Sequence, residues 1–421
     1  MKKILTFFSY IVIFLFFLSI FGWIVFHIQK GDKDYGFLNE PIKFLYTFPD
    51  MFSQSVEEAK KLPATFVETP QDFKSINNLA TDVKALVAYS DTSDSRTIAL
   101  MNLRTDSVYY KWTVPNKHQE HARVENPLLL PNKSIIYSFD AASGLRRIDS
   151  LGNIIWIQDS VKHHHSMNLD KNGDIWICGF EPVYYATGTY KLNGRSVFYI
   201  DDFVTKLDTA TGKILFNKSF SEILRENGLE YYILKSNAIE DPLHINDIEP
   251  ALKTTKYYNE GDLFISSRNM SFIMQYRPST NKVIRMIEGP FVSQHDVDIY
   301  HDSSLVFFNN NFYTNWTNKS MAPPKDSSTL QFVGNIYSTI ARYDLWNDSI
   351  SFIEQKAFID NEIFTETEGL IDFIDDSNVF VEEQNTGILW ILNGDSVVYK
   401  DVLKSQHKGY HHLPNWTRII K

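Results

Sequence analysis

The sequence predicts an all-β fold, a β-propeller of six blades preceded by one transmembrane helix, and three observations support this. Four histidines open phrases of one shape: His165-Ser-Met-Asn, His244-Ile-Asn-Asp, His295-Asp-Val-Asp and His412-Leu-Pro-Asn. Arg123-Val-Glu-Asn and Glu366-Thr-Glu-Gly repeat that shape with another polar lead, and a hydrophobic β-type run follows each start. From Lys84 onward, short apolar runs alternate with Gly, Asn and Asp turn signals and carry almost no helical period.

Ile4 through Phe26 is an uncharged apolar run of roughly 23 residues, enough to cross a hydrocarbon layer of about 30 Å. Lys2 and Lys3 precede it and are expected to stay in the cytoplasm, which puts the rest of the chain on the periplasmic or extracellular side. A cleaved signal has a shorter apolar core and a small-residue cleavage site, whereas Trp23, Val25 and Phe26 end this run. Residues 1–29 are therefore expected to be a cytoplasmic stub and signal anchor. Residues 30–80 mix charge, Pro and short apolar stretches and read as a stalk, with a short helix from Ser55. Residues 81–421 are the expected propeller.

Within the propeller, Asp170-Lys-Asn-Gly precedes Ile175-Trp-Ile, and Asn259-Glu-Gly-Asp precedes Leu263-Phe-Ile. Val204-Thr-Lys-Leu-Asp-Thr-Ala-Thr-Gly-Lys-Ile-Leu reads as strand, tight turn, strand, as does Ile273 through Ile284. Each unit is thus an inner strand, a hairpin and an outer strand, which is a propeller blade. Residues 84–114 are three strands without an inner strand, and the segment from His412 is an inner strand with no successor. Joining them makes a sixth blade from both ends and closes the ring without exposed edges. Gly188-Thr-Tyr-Lys-Leu-Asn-Gly and the Pro323-Pro stretch are expected to form loops on the rim.

Composition narrows the function. The single cysteine, Cys178, excludes an internal disulfide framework and a cysteine-based zinc site. Acidic residues exceed basic ones, 51 to 41, which argues against nucleic acid as a partner. Inner strands line a propeller's channel, so His165, His244, His295 and His412 are expected to converge there. Arg123 and Glu366 or Glu368 would fill the other sectors. Histidine in such a place serves as metal ligand, general acid/base or nucleophile.

His244-Ile-Asn-Asp, then Gly261 through Ser-Arg268-Asn, then Gln294-His295-Asp-Val resembles the signature of bacterial arylsulfate sulfotransferases. His164-His165 followed by Asp170-Lys-Asn-Gly is similar to the family's upstream histidine segment. The resemblance implies sulfuryl transfer from an aryl sulfate to a phenol without phosphoadenosine phosphosulfate or another cofactor. It implies that His295 is transiently sulfated, that His244 and Arg268 hold the sulfuryl oxygens, and that His165 is the remaining active-site histidine. Asn246 shares a strand face with His244 and is a candidate donor-binding residue, while His412, Arg123 and Glu368 are candidates by position in the repeat. Asp296, next to the nucleophile, is expected to be structural. Three departures from the family pattern stand out: no disulfide can form within the chain, Phe307-Phe-Asn-Asn-Asn replaces a common Asp-Asn pair, and an anchor replaces a cleaved signal.

Two other readings remain. A membrane-anchored propeller could bind a protein partner or a sulfated glycan without catalysis, since a fold alone establishes no activity. The histidines could instead hold a metal, but Arg268 among them favours an anion. By strand alternation His164 is expected to face away from His165, and His163 to precede the strand. His301 and His407 are expected at the surface, and Glu382-Glu383 on a solvated face.

Overall fold

The computed structural model describes residues 2–30, 35–58, 62, 65–90, 95–115, 123–139, 144–180, 188–192, 195–236, 238, 240–312 and 337–421. The Pro323 loop and Asn193-Gly194 lie outside these residues. The chain divides into two compact units, residues 1–63 and 64–421. In the first, the helix Lys2–Lys30 contains the 23-residue segment Thr6–Ile28, long and apolar enough to cross a membrane. Phe7, Phe8, Phe14, Phe16, Phe17 and Leu18 along it are exposed. A second helix, Asn39–Glu58, replaces the shorter one expected at Ser55.

The second unit begins earlier than residue 81. Phe66–Glu68 pairs with Tyr410–His412, and Ile76–Asn77 pairs with Ser396–Lys404, so part of the expected stalk belongs to the β-fold. The unit is a β-propeller built from antiparallel meanders. Five sheets are four-stranded blades. They begin with the inner strands Val124–Leu129, Lys162–Leu169, Ile245–Pro250, His295–Tyr300 and Arg418–Ile420. Six equivalent blades do not form. Two sheets remain: Gly188–Leu192 pairs with Arg195–Tyr199 as a hairpin where a loop was expected, and the sheet that starts at Leu370–Phe373 grows to seven strands by adding Tyr410–His412, Phe66–Glu68 and Ile76–Asn77.

The ends meet as the unpaired segments require. Arg418–Ile420 pairs with Lys84–Leu86, supplying the inner strand that Lys84–Ser90, Ser95–Asn102 and Ser107–Pro115 lack. His412 is not part of that strand. Between His412 and Arg418 the chain passes from one sheet to the next, so the sixth repeat start and the closing strand belong to different sheets.

Apolar layers hold consecutive sheets together. Phe220, Phe272 and Met274 fill one such layer, and Phe264, Phe291 and Phe307 the next. Phe308, Phe358 and Trp390 follow, then Phe380, Tyr399 and Trp416. Trp112, Tyr137 and Phe139 link the 84–115 sheet to the 124–158 sheet, and Trp156, Met167 and Ile177 link that sheet to the 162–219 sheet. Middle strands such as Leu263–Ser267 are buried on both faces. The outer strand Ser107–Pro115 alternates buried and exposed at its end, as a strand with one wet face must.

Polar brackets set the spacing of neighbouring inner strands. Asp202 Oδ2 accepts from Ile245 N (2.9 Å), Asp247 Oδ2 from Val297 N (2.6 Å) and Asp296 Oδ2 from Ile371 N (2.7 Å). Glu382 accepts from Trp416 N and Thr417 N at 2.9 and 3.0 Å, and Asn415 donates to the Val124 carbonyl at 2.6 Å. The expectation of a solvated Glu382-Glu383 pair is therefore corrected. Both residues are buried, and Glu383 accepts from the Trp390 indole at 3.0 Å. Burial pushes both carboxyls up to about 7 against the hydrogen bonds they accept.

Candidate functional site

At the start of each inner strand one non-glycine residue has a positive φ: Asn126 (42°), His165 (66°), His244 (48°), Asp296 (55°), Glu368 (58°) and Trp416 (55°). L-residues reach this left-handed region only at a cost, and such positions cluster where a fold must aim side chains. Register shifts accompany them at 125/128, 163/167, 245/247 and 295/297. These are β-bulges, which suspend strict alternation of faces.

The bulge in Lys162–Leu169 changes the assignment of the triple histidine. His163 is inside the strand, fully buried, between Ser138 Oγ (2.6 Å) and the Ser166 carbonyl (3.0 Å). Burial drives its pKa down to about 3. His164, expected to face away, lies beside His165: the two Nδ1 atoms are 2.8 Å apart, and His164 Nε2 lies 3.0 Å from Asp202 Oδ1. His165 in turn contacts His244 (ring centroids 5.0 Å), stacks on His295 (5.7 Å, 23° between planes) and meets Trp416 edge-on (5.6 Å). His165, His244 and His295 thus converge. His412 does not join them among the described residues, because it packs between Phe66 and Tyr89. Trp416 occupies the place the repeat assigned to it.

The strand ending Ser266-Ser267-Arg268-Asn269 holds the segment that carries His244. Ser267 Oγ donates to the Leu243 carbonyl (2.6 Å), Arg268 N to the His244 carbonyl (3.0 Å) and Asn269 Nδ2 to the Asp241 carbonyl (2.6 Å). Arg268 is buried, and its Nη1 donates to Asn269 Oδ1 at 2.7 Å. Asn246 is fully buried and donates to the Gln294 carbonyl at 2.7 Å, so it supports the peptide before His295. Gln294 itself donates to Ser266 Oγ and to the Ser267 and Phe272 carbonyls.

His295 is fully buried. Asn310 Nδ2 donates to the Thr365 (3.0 Å) and Glu368 (2.7 Å) carbonyls, which turns its Oδ1 toward His295 Nδ1 at 2.8 Å. An amide oxygen can only accept, so Nδ1 carries the hydrogen and Nε2 the lone pair. That Nε2 is buried without a partner. Burial first, then the Arg268 guanidinium, holds His295 well below the ordinary imidazole range, so the ring is neutral. His165 is held well below it too, by burial and then by His164, His244, His295 and Arg268.

His244 is the opposite case. Burial disfavours its charge, but Asp241 Oδ2 at 2.6 Å from its Nδ1 outweighs burial and raises its pKa. Burial opposes ionisation of Asp241 in the same way, and His244 outweighs it, lowering Asp241. One neutral imidazole with an open lone pair therefore sits beside a guanidinium and a second imidazole, His244, whose charged form is favoured.

Arg123 and Glu368 pair with each other at 2.5 Å. The Glu368 carbonyl supports Asn310, and Glu366 is exposed. His301 is exposed beside Asp376, and His407 packs edge-on against Phe66. Nitrogens of His164, His165 and His244 lie within 4.8 Å of one another, close enough to share a metal. The donor set argues against one: both nitrogens of His164 and the Nδ1 atoms of His165 and His244 are already engaged, and Arg268 would repel a cation. Farther along the inner strands a cavity of about 260 Å³ is lined by Asp296, Asp298, Asp372, Arg418 and Lys421. Burial and mutual repulsion raise Asp296 and Asp298, so an anion is better received at the histidine end.

His164, Asp202, Asp241, Asn310 and Trp416 are the site residues that sequence reasoning missed. Two signals existed: Asp241 lies three residues before His244, and Asn310 falls in the Asn run that departs from the family's Asp-Asn pair.

A family model described as arylsulfotransferase (ASST) matches residues 126–398, more than half of the chain. No curated protein sequence matches it. Similar solved structures include a protein of unknown function from Bacteroides caccae, 10% identical with TM-score 0.44, covering 78% of this chain and 97% of that one. Virginiamycin B lyase from Staphylococcus aureus is 14% identical with TM-score 0.40, covering 80% and 89%. A chain of the nidogen/laminin complex is 8% identical with TM-score 0.42, covering 80% and 98%.

Proposed function

Because the chain belongs to the arylsulfotransferase (ASST) family, we propose that it moves a sulfuryl group from an aryl sulfate to a phenol through a sulfated His295, without a cofactor. The observation that carries this reading is the buried, partnerless Nε2 of a neutral His295 whose other nitrogen is held by Asn310. A lone pair in that state is a nucleophile.

In the first half-reaction His295 Nε2 bonds to sulfur, the sulfur–oxygen bond to the aryl group breaks, and the electron pair leaves on the aryl oxygen. In the second, the acceptor's phenolic oxygen gives up its proton and bonds to sulfur, and the nitrogen–sulfur bond returns its pair to Nε2; the proton lost balances the one taken up by the departed aryl oxide. Negative charge stays on the sulfuryl oxygens throughout. Arg268 and the His244 imidazolium are fixed cations for those oxygens, in a site where burial strengthens each interaction. The N-terminal helix suits a membrane tether, with the propeller on the non-cytoplasmic side.

The test uses the full-length protein in detergent with 4-nitrophenyl sulfate and phenol. The expected result is acceptor-dependent release of 4-nitrophenol, a sulfated peptide containing His295, and loss of both in His295→Ala. A wild type that neither turns over nor becomes sulfated removes this reading and leaves a propeller that binds a protein partner or a sulfated glycan. Intact mass of membrane-extracted protein shows whether residues 1–29 are retained, as an anchor requires.

A further inference from the structure

The repeat explains His165, His244 and His295, but it does not explain why a second histidine and a buried aspartate stand in line behind one of them. Both Asp202 oxygens are engaged: Oδ2 accepts from Ile245 N at 2.9 Å, and Oδ1 lies 3.0 Å from His164 Nε2. A carboxylate in this position accepts, so His164 Nε2 carries a hydrogen, and in the neutral ring Nδ1 is then an acceptor. In that state His165 Nδ1, 2.8 Å away, donates to it. The tautomer of neutral His165 that matches this state leaves the lone pair on Nε2. The sequence places two adjacent histidines on one strand. The bulge at 163/167 and the positive φ of His165 turn both rings the same way.

We propose that Asp202 and His164 are positioning residues that fix His165 in the tautomer whose Nε2 takes the proton of the phenolic acceptor. This inference rests on the sulfuryl-transfer reading. As the acceptor oxygen bonds to sulfur, its O–H bond breaks and the proton passes to His165 Nε2, while the pair of the nitrogen–sulfur bond returns to His295. The His165 imidazolium so formed donates from Nδ1 to His164, whose Nε2–H is anchored on Asp202, and the carboxylate stabilises the new charge without becoming protonated. In the reverse sense His165 returns the proton to the aryl oxide that leaves the donor. The titratable and charged groups facing this pair are Asp202, Asp241, His244, His295 and Arg268. Burial first, and then the cations among them, keep His165 neutral before the proton arrives.

Asp202→Asn tests this. The asparagine oxygen can still accept from Ile245 N, but its NH2 then faces His164 Nε2. That reverses His164 and forces the hydrogen of His165 onto Nε2. In the full-length protein, transfer from 4-nitrophenyl sulfate to phenol is expected to fall about 10²–10⁴-fold, the range for loss of a general base. The nitrophenol burst should slow by no more than about tenfold, because 4-nitrophenolate leaves without needing a proton. The acidic limb of the transfer pH profile should disappear. Transfer to pentafluorophenol, already ionised at pH 8, should be restored most of the way. His164→Gln should give the same split. Equal slowing of burst and transfer, or no rescue by the ionised acceptor, overturns the relay while the sulfotransferase reading stands. A wild type without a burst sinks both.

Discussion

The Asp241–His244 pair makes a prediction that can be worked through numerically. Two unit charges about 4 Å apart interact by about 4 kcal/mol at the effective dielectric typical of protein sites. Both side chains are about a fifth exposed, which lowers that figure, and asparagine at 241 still accepts a hydrogen bond from Nδ1. The net loss in Asp241→Asn is therefore closer to the 1.5–3 kcal/mol of a hydrogen bond to a charged partner. If His244 acts as imidazolium on the sulfuryl oxygens, that loss is a fall of about 10- to 100-fold in kcat. The sign in pH follows from the raised pKa. The charged form dominates below it, so wild-type activity should decline as pH rises through a value above 6.5, and in Asp241→Asn that decline should move to lower pH. Stopped-flow release of 4-nitrophenol from pH 5 to 9 reads both quantities. An alkaline limb that stays in place in the variant would refute the claim that His244 acts as a cation.

Other predictions concern the supports. Asn310→Ala should leave sulfation of His295 about 10²-fold slower, since Nδ1 loses its acceptor and both tautomers populate; single-turnover burst rates measure this. Arg268→Lys keeps the charge but loses the planar donor pattern, so burst rate should still fall at least about tenfold; an unchanged rate would remove Arg268 from the site. Glu382 and Glu383 are raised to about 7 from an ordinary 4.5, so the folded state binds more protons between those values. Their stabilising contribution is fully present below about pH 4.5 and lost as pH rises through 7, and urea midpoints between pH 5 and 8 should show that decline shrink in Glu382→Ala. Phe264→Ala, which empties a fully buried position, should cost about 3–5 kcal/mol of stability in the same assay.

The β-propeller was legible because hydrophobic runs and turn residues report the strand period directly. The meanders from Val124 to Ile353 follow the sequence units, and the partner of residues 84–115 was identified from what each segment lacked. The seven-stranded sheet was not legible, because Phe66–Glu68 and Ile76–Asn77 are too short to carry a period. At the site, His165, His244 and His295 could be placed because each leads its unit. His164 was misassigned and His412 misplaced for one reason: bulges of differing length break the alternation of faces, and a repeat aligned by its lead residue cannot count the extra residues. Glu382 and Glu383 looked solvated because charge suggests exposure, while their acceptors bind backbone and indole N–H groups that only the folded sheets bring near.

The closing segment has a consequence in time as well as in space. A ribosome delivers residues 84–115 long before residues 415–420, so the first strands of the ring must wait for their inner partner while about 300 intervening residues are made. That late segment also carries Trp416 to His165, joins Asn415 to Val124, and hydrogen-bonds Arg418 to the Met167 carbonyl. A chain broken off before residue 415 would hold every histidine of the site yet leave the ring open beside them. Protein clipped before residue 415 should therefore lose the sulfuryl transfer proposed above, so that transfer would report closure of the ring as well as presence of the histidines.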